Sequence, residues 1–239
     1  MKILVIAAHP DDEVLGMGGS IKKMTKDGHD VKIAIMATGI RSRRSTNYQN
    51  LSTYKENLND EEKIKKQLIQ LKKNAIRASK ILGVKKLEMF DFPDNEMDKI
   101  SNLEITKSIE ELIIKHKPEI VFTHSKNDLN VDHRILYNAT ITAARPLPKS
   151  TVKKILTFEV PSSSEWNYPE QFLANTFINI TKELSSKMKA MEAYKNEIRK
   201  FPHPRSSKGL EIIAKRWGTV SGFSAAEAFH LVRELKDRF

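Results

Sequence analysis

Short apolar runs alternate with helical patterns through the first two-thirds of the chain, and this alternation limits the fold more than any other feature. Residues 3–8, 31–38, 86–92 and 120–124 read as strands, and between them 14–27, 64–82 and 103–115 repeat apolar residues at helical spacing. Strands of one sheet joined through helices need crossover connections, so neighbouring strands run parallel. The expectation is a doubly wound α/β fold whose mainly parallel sheet is flanked by helices. At 239 residues the chain can bury one full core, and no Gly- or Ser-rich linker interrupts it, so residues 1–239 read as a single domain.

Local chemistry sets the boundaries. Ser101 and Glu104 predict a capping box at the head of the third helix, and a fourth helix begins near His133. Weaker strands are expected at 155–160 and 176–180. The tail reads as a helical C-terminal portion, 182–239, made of segments 183–198, 207–216 and 225–236, the last opened by a capping box at Ser224 and Glu227. Pro202 and Pro204 enforce an extended crossing between the first two. The polar stretch 42–62 lacks apolar periodicity and reads as a long loop or lid.

Several function classes fall away. Without cysteine there is no disulfide framework and no thiolate metal site, so a metal would sit on His, Asp or Glu. No run approaches the roughly 20 apolar residues of a membrane span, and the apolar start is too short for a signal peptide, so a cytoplasmic protein is expected. A net charge of +11 suits nucleic acid, an anionic membrane or a phosphorylated substrate. Most lysines fall on helical stretches, however, where they read as solvated faces, and the aromatic residues are not interleaved with basic ones. No nucleic-acid partner is expected, and association with copies of itself stays open.

In an open parallel sheet, ligands bind beyond the carboxyl ends of the strands. The unusual residues cluster there: His9-Pro10-Asp11-Asp12-Glu13 after the first strand, Gly39-Ile40-Arg41 after the second, Pro93-Asp94-Asn95 after the third, then His124 and the run from Asp128 to His133. Three adjacent acids at a helix N-terminus gain about 1 kcal/mol from its dipole but repel one another, whereas a divalent cation reverses the sign of the problem. His9 and Asp12 can reach one metal at about 2.0–2.2 Å, and His133 is the natural third ligand, leaving a place open as in catalytic zinc sites. Asp11 is left beside them, positioned to accept a proton. Arg41, Arg43 and Arg44 begin the lid and could grip a phosphate, or form a solvated basic run. Asp94, Asn95 and His124 are candidates for substrate contact, with a turn as the rival role of the first two. Gly16, Gly18 and Gly19 do not match a dinucleotide-binding fingerprint.

The run Ala8-His9-Pro10-Asp11-Asp12-Glu13, followed by Gly16 and Gly18-Gly19 and then by Asp132-His133, resembles the LmbE-like or PIG-L deacetylases. The segment His203-Pro204-Arg205-Ser206 is similar to a bacterial branch of that family. The resemblance implies a Rossmann-like fold and a zinc-dependent hydrolase that removes acetyl groups from N-acetylglucosamine-type sugars, free, nucleotide-linked or glycan-linked. It implies a zinc site of His9, Asp12 and His133, one ion per chain, with Asp11 as general base and Asp132 as orienting group. Members commonly carry a second histidine three residues before the last ligand to stabilise the oxyanion. Here that position is Asn130, so either its amide or His203 would supply the donor. Two alternatives accompany this expectation: hydrolysis of another carboxamide, such as a thiol-glycoside precursor, and a non-catalytic binder of nucleotide sugars or nucleic acid.

Overall fold

The computed structural model describes residues 1–37 and 58–236, with side chains throughout except at 58–64. The elements run β1 (Lys2–Ala7), α1 (Asp12–Lys26), β2 (Asp30–Ala37), α2 (Leu58–Leu82), β3 (Lys86–Phe92), α3 (Asn102–His116), β4 (Ile120–His124), α4 (Val131–Ala143), β5 (Lys154–Phe158), β6 (Thr176–Asn179), α5 (Leu184–Ala193), α6 (Ser207–Ser221) and β7 (Ala226–Glu234). Among the described residues, seven strands form one sheet in the order β3-β2-β1-β4-β5-β7-β6. The first five strands along this order are parallel, and β7 is antiparallel to both β5 and β6. The direction of winding reverses between β1 and β4, which makes their carboxyl ends the place where a ligand crevice opens.

Helices cover both faces of β1, and its sequence shows why. Ile3, Val5 and Ala7 join a core with Leu15 of α1 and Leu71 of α2, while Leu4, Ile6 and Ala8 join a second core with Ile109 of α3 and Leu136 of α4. A strand buried on both faces reads as a continuous apolar run rather than an alternating one. Ser101 accepts a hydrogen bond from the Leu103 amide and so caps α3, and Asn130 and Ser206 cap α4 and α6 in the same manner.

Helix α1 is broken in the middle. Met17 lies at φ −147°, ψ 25°, outside helical values. The break frees backbone groups on both sides, and one buried ion pair satisfies them. Lys187 Nζ donates to the Leu15 carbonyl at 2.8 Å, and Glu227 accepts from the amides of Gly19 at 3.0 Å and Ser20 at 2.6 Å. The two side chains meet at 2.7 Å. Glycine is needed on either side of the break: a Cβ on Gly16 would lie 2.4 Å from Phe158 Cδ2, and one on Gly19 would lie 2.8 Å from Ile180 Cδ1.

Glu227 marks a correction to the expected helical tail. Residues 226–234 are strand β7 instead of a helix over 225–236, and Glu227 caps the second half of α1 in place of forming a box with Ser224. Ala, Glu and Leu favour a helix locally, but the place between β5 and β6 decides the conformation. Helix α5 also ends at Ala193, five residues before the expected 198, while α6 continues to Ser221. The lid over 42–62 falls mostly outside the described residues, as do Arg41, Arg43 and Arg44. Among the described residues, no helix is long and apolar enough to cross a membrane.

Candidate metal centre

The turn from β1 into α1 brings His9 and Asp12 to the winding reversal, and the first turn of α4 brings His133 to the same point. The three donor atoms form a triangle. His9 Nδ1 lies 3.3 Å from Asp12 Oδ2, His133 Nε2 lies 3.1 Å from the same oxygen, and the two ring nitrogens are 3.3 Å apart. Donors around a tetrahedral ion with bonds of about 2.0–2.1 Å sit about 3.3–3.4 Å from one another, so the edges suit one small cation. Asp12 Oδ1 is buried and has no hydrogen-bond partner among the described residues, although Asp12 is only 1% exposed. An orphaned buried carboxylate oxygen beside two converging imidazoles fits a divalent ion.

Supports stand behind each histidine. His9 Nε2 is 2.9 Å from Asp132 Oδ2 and 3.1 Å from Asp94 Oδ1. Asp132 is itself fixed by the amides of Asn95 at 2.6 Å and Met97 at 3.1 Å. His133 Nδ1 lies 3.0 Å from Asp128 Oδ2. Carboxylates on the far nitrogens of metal-binding histidines fix the ring orientation and the tautomer. Two further groupings that could hold an ion, His9–Asp94–Asp132 and His124–Asp128–His133, each share a histidine with the triangle and contain these supports.

The electrostatics of the cluster follow from burial opposed by pairing. Burial drives the His9 and His133 rings toward neutrality. For His9, the hydrogen bonds to Asp12, Asp132 and Asp94 outweigh it and hold the pKa well above 6.5. For His133, Asp128 and Asp12 do the same, pushing it up to about 9. Asp12 is held well below the usual carboxylate range because the two imidazoles overcome its own desolvation. Asp11 is different: burial pushes it up to about 8, against the opposing pull of Arg205, whose Nη1 is 3.2 Å from Asp11 Oδ2. Its backbone is strained as well, at φ 116° in a non-glycine residue.

Several sequence-predicted residues stand elsewhere than expected. His124 has no exposed surface; it accepts from the Ala8 amide through Nε2 at 2.8 Å and stacks on His133 at 3.9 Å, so it backs the cluster. Asp94 is likewise buried against His9, and Asn95 spends its side chain on Asp94 and Asn130. The Asn130 amide is also occupied: Oδ1 caps the Asp132 amide at 2.9 Å and Nδ2 donates to Asn95 Oδ1 at 2.8 Å. His203 is half-buried, its Nδ1 accepting from the Arg205 amide at 3.1 Å and its ring packing nearly perpendicular to that of Trp166. A neutral ring with Nδ1 as acceptor carries its hydrogen on Nε2.

Sequence reasoning gave no role to Asp128, Arg205, Glu13 or Tyr194. The Tyr194 hydroxyl donates to Glu13 Oε1 at 2.8 Å, and Glu13, pushed up to about 7 by burial, accepts the Asp11 amide at 3.1 Å. Asp128 had an available signal, since a histidine whose one nitrogen faces a cluster needs an acceptor for the other.

The family profile described as "PIG-L: GlcNAc-PI de-N-acetylase" matches residues 4–144, more than half of the chain. The chain belongs to this family. As a PIG-L member it is a hydrolase of the N-deacetylase type. The diacetylchitobiose deacetylase of Thermococcus kodakarensis is 27% identical over 239 residues, covering 97% of this chain and 83% of the relative. Among solved structures, the N,N'-diacetylchitobiose deacetylase of Pyrococcus horikoshii superposes with a TM-score of 0.75 at 23% identity, over 97% of this chain and 84% of that one. The 4-carboxy-2-hydroxymuconate hydratase GalB of Pseudomonas putida also gives a TM-score of 0.75, at 19% identity over 100% and 99% of the two chains. At these identities the two superpositions speak for the shared PIG-L fold alone; chemistry rests on the site.

Proposed function

We propose that this PIG-L protein is a zinc-dependent hydrolase that removes the acetyl group from an N-acetylated amino sugar, with His9, Asp12 and His133 holding the ion. The observation that carries the reading is the triangle of donors at 3.1–3.3 Å formed by His9 Nδ1, His133 Nε2 and Asp12 Oδ2, with the other Asp12 oxygen buried and orphaned beside it. Two imidazoles and one carboxylate are the donor set of a catalytic zinc site. When bound, a divalent ion there supplies Lewis acidity to a carbonyl and to water.

The chain's own residues do the rest. In its ionised form Asp11 takes a proton from the attacking water as the water oxygen bonds to the acetyl carbon, and returns that proton to the sugar nitrogen as the C–N bond breaks. Free amine and acetate are the products. Arg205 holds the Asp11 carboxylate in place, reaching it while anchored on Ser162 Oγ at 2.9 Å and on the Pro161 carbonyl. Asp132 and Asp128 fix the two ligand rings. His203 donates from Nε2 to the oxygen that gains negative charge, since the Asn130 amide is engaged elsewhere.

The test is acetate release from a panel of N-acetylglucosamine derivatives, by wild type and by His9→Ala. Wild type should release acetate, and the variant should lose at least about a thousandfold. Undiminished activity in the variant would sink the assignment.

A further inference from the structure

Asp11 carries its carboxylate on a strained backbone, at φ 116°, a region that few residues with a Cβ occupy. Such a conformation persists where the surroundings over-determine it. On the carbonyl side the helix itself does so, since the Asp11 oxygen accepts the amides of Val14 at 3.0 Å and Leu15 at 2.8 Å. On the amide side a side chain does it: the Asp11 N–H donates to Glu13 Oε2 at 3.1 Å. With the peptide planes before and after its Cα both pinned, the direction of the Asp11 side chain is set, and the carboxylate arrives 3.2 Å from Arg205 Nη1.

Glu13 is more than a first-turn acid. An acid in that position gains from the helix dipole while its carboxylate stays in water. Glu13 is only 1% exposed, so its carboxylate gives up hydration that a dipole alone does not replace. Named donors replace it instead. Oε2 takes the Asp11 amide, and Oε1 takes the Tyr194 hydroxyl at 2.8 Å. Tyr194 has no exposed surface, caps the C-terminus of α5 and shares an apolar core with Val14 and Leu15 of α1.

Helix α5 is therefore fastened to α1 at two places. Lys187, in its first turn, meets the Leu15 carbonyl and Glu227 at the break of α1. Tyr194, at its other end, meets Glu13 in the first turn of α1. The first fastening closes backbone groups that the kink frees. The second reaches, through one carboxylate, the backbone of Asp11.

We propose that Tyr194 and Glu13 are positioning residues for the reaction: the Tyr194 hydroxyl fixes the Glu13 carboxylate, which fixes the Asp11 amide and so aims the Asp11 carboxylate at the attacking water. The kinetic part rests on the deacetylase reading, and the anchoring of the amide is tested separately. Kinetics are compared on the N-acetylglucosamine derivative that wild type deacetylates fastest. Tyr194→Phe removes one hydroxyl and keeps the ring, so kcat should fall about tenfold with KM within about twofold, because a slackened proton acceptor costs rate and not binding. Glu13→Gln should keep kcat within about threefold of wild type, since its side-chain oxygen can accept the Asp11 amide and its NH2 can donate to the Tyr194 oxygen. Glu13→Ala should lower kcat about a hundredfold, and adding Tyr194→Phe to it should change little more. An unchanged kcat in Tyr194→Phe, a loss confined to KM, or a Glu13→Gln as impaired as Glu13→Ala would overturn the positioning role.

Anchoring is read without turnover, from amide hydrogen exchange by NMR of the isotope-labelled full chain. The Asp11 amide should exchange about tenfold faster in Tyr194→Phe than in wild type, while the Gly19 and Ser20 amides on Glu227 keep their wild-type rates. That result supports the anchor even if wild type releases no acetate, in which case only the deacetylase reading fails. Unchanged exchange at Asp11, or an equal acceleration along all of α1, overturns the proposal whatever the activity.

Discussion

Helix α1 carries two buried collections of charge, one at its first turn and one at its break, and they are built on opposite rules. At the break, Lys187 and Glu227 meet each other and also meet the backbone groups that the kink frees, so each charged atom is occupied. At the first turn, Asp11 and Asp12 sit with Asp94, Asp128 and Asp132 around two imidazoles and one guanidinium, Asp11 is strained, and Asp12 Oδ1 is left without a partner. Both collections are desolvated, yet only the closed one reads as structural. The open one is the candidate site, with one Asp12 oxygen unpaired and the Asp11 backbone strained.

The sharpest way to break this contrast is to change Asp11. Asp11→Asn removes the proton acceptor while keeping a residue that tolerates positive φ, so turnover should fall about 10²- to 10⁴-fold with denaturant stability nearly unchanged. A large loss of stability would mean that the first turn is as structural as the break. Next in size, Glu227→Leu leaves Lys187 buried and unpaired, and urea unfolding should show a loss of about 3–5 kcal/mol. If the loss is below roughly 1 kcal/mol, the pair is not what holds the break.

A third test uses Glu159, whose carboxyl burial pushes up to about 7 from 4.5. A raised folded-state pKa stabilises the fold fully below the unfolded value, and the contribution is lost as pH rises through 7. Between pH 4.5 and 7 the wild type should therefore lose roughly 3 kcal/mol relative to Glu159→Gln, read from unfolding midpoints at each pH. Parallel curves for the two proteins would show that burial does not perturb this group. The smallest effect is expected at Gly19→Ala, where the new methyl would lie 2.8 Å from Ile180 Cδ1 and overpacking should take about 1–3 kcal/mol.

The two regions also differ in how far the sequence disclosed them. Strands β1 to β4 and the first-turn cluster of His9, Asp11, Asp12 and Glu13 were legible, because an apolar strand buried on both faces and a cluster of acids after it are local signals. The closed pair was not, since Lys187 and Glu227 each meet α1 across more than 170 residues, and the segment holding Glu227 has the local propensity of a helix. Arg205 escaped for the same reason, reaching Asp11 across 194 residues. Asp94, His124 and Asn130 were correctly located at strand ends, but spacing does not say which way a side chain turns. Asn130 turns to cap the Asp132 amide, His124 to accept the Ala8 amide and Asp94 to meet His9.

His9, Asp12 and His133 are proposed to bind one divalent ion. Elemental analysis after zinc loading and exhaustive dialysis tests it directly, in wild type and in Asp12→Ala. Wild type should retain close to one zinc per chain and the variant close to none. Equal zinc in the two proteins, or none in wild type, would contradict it.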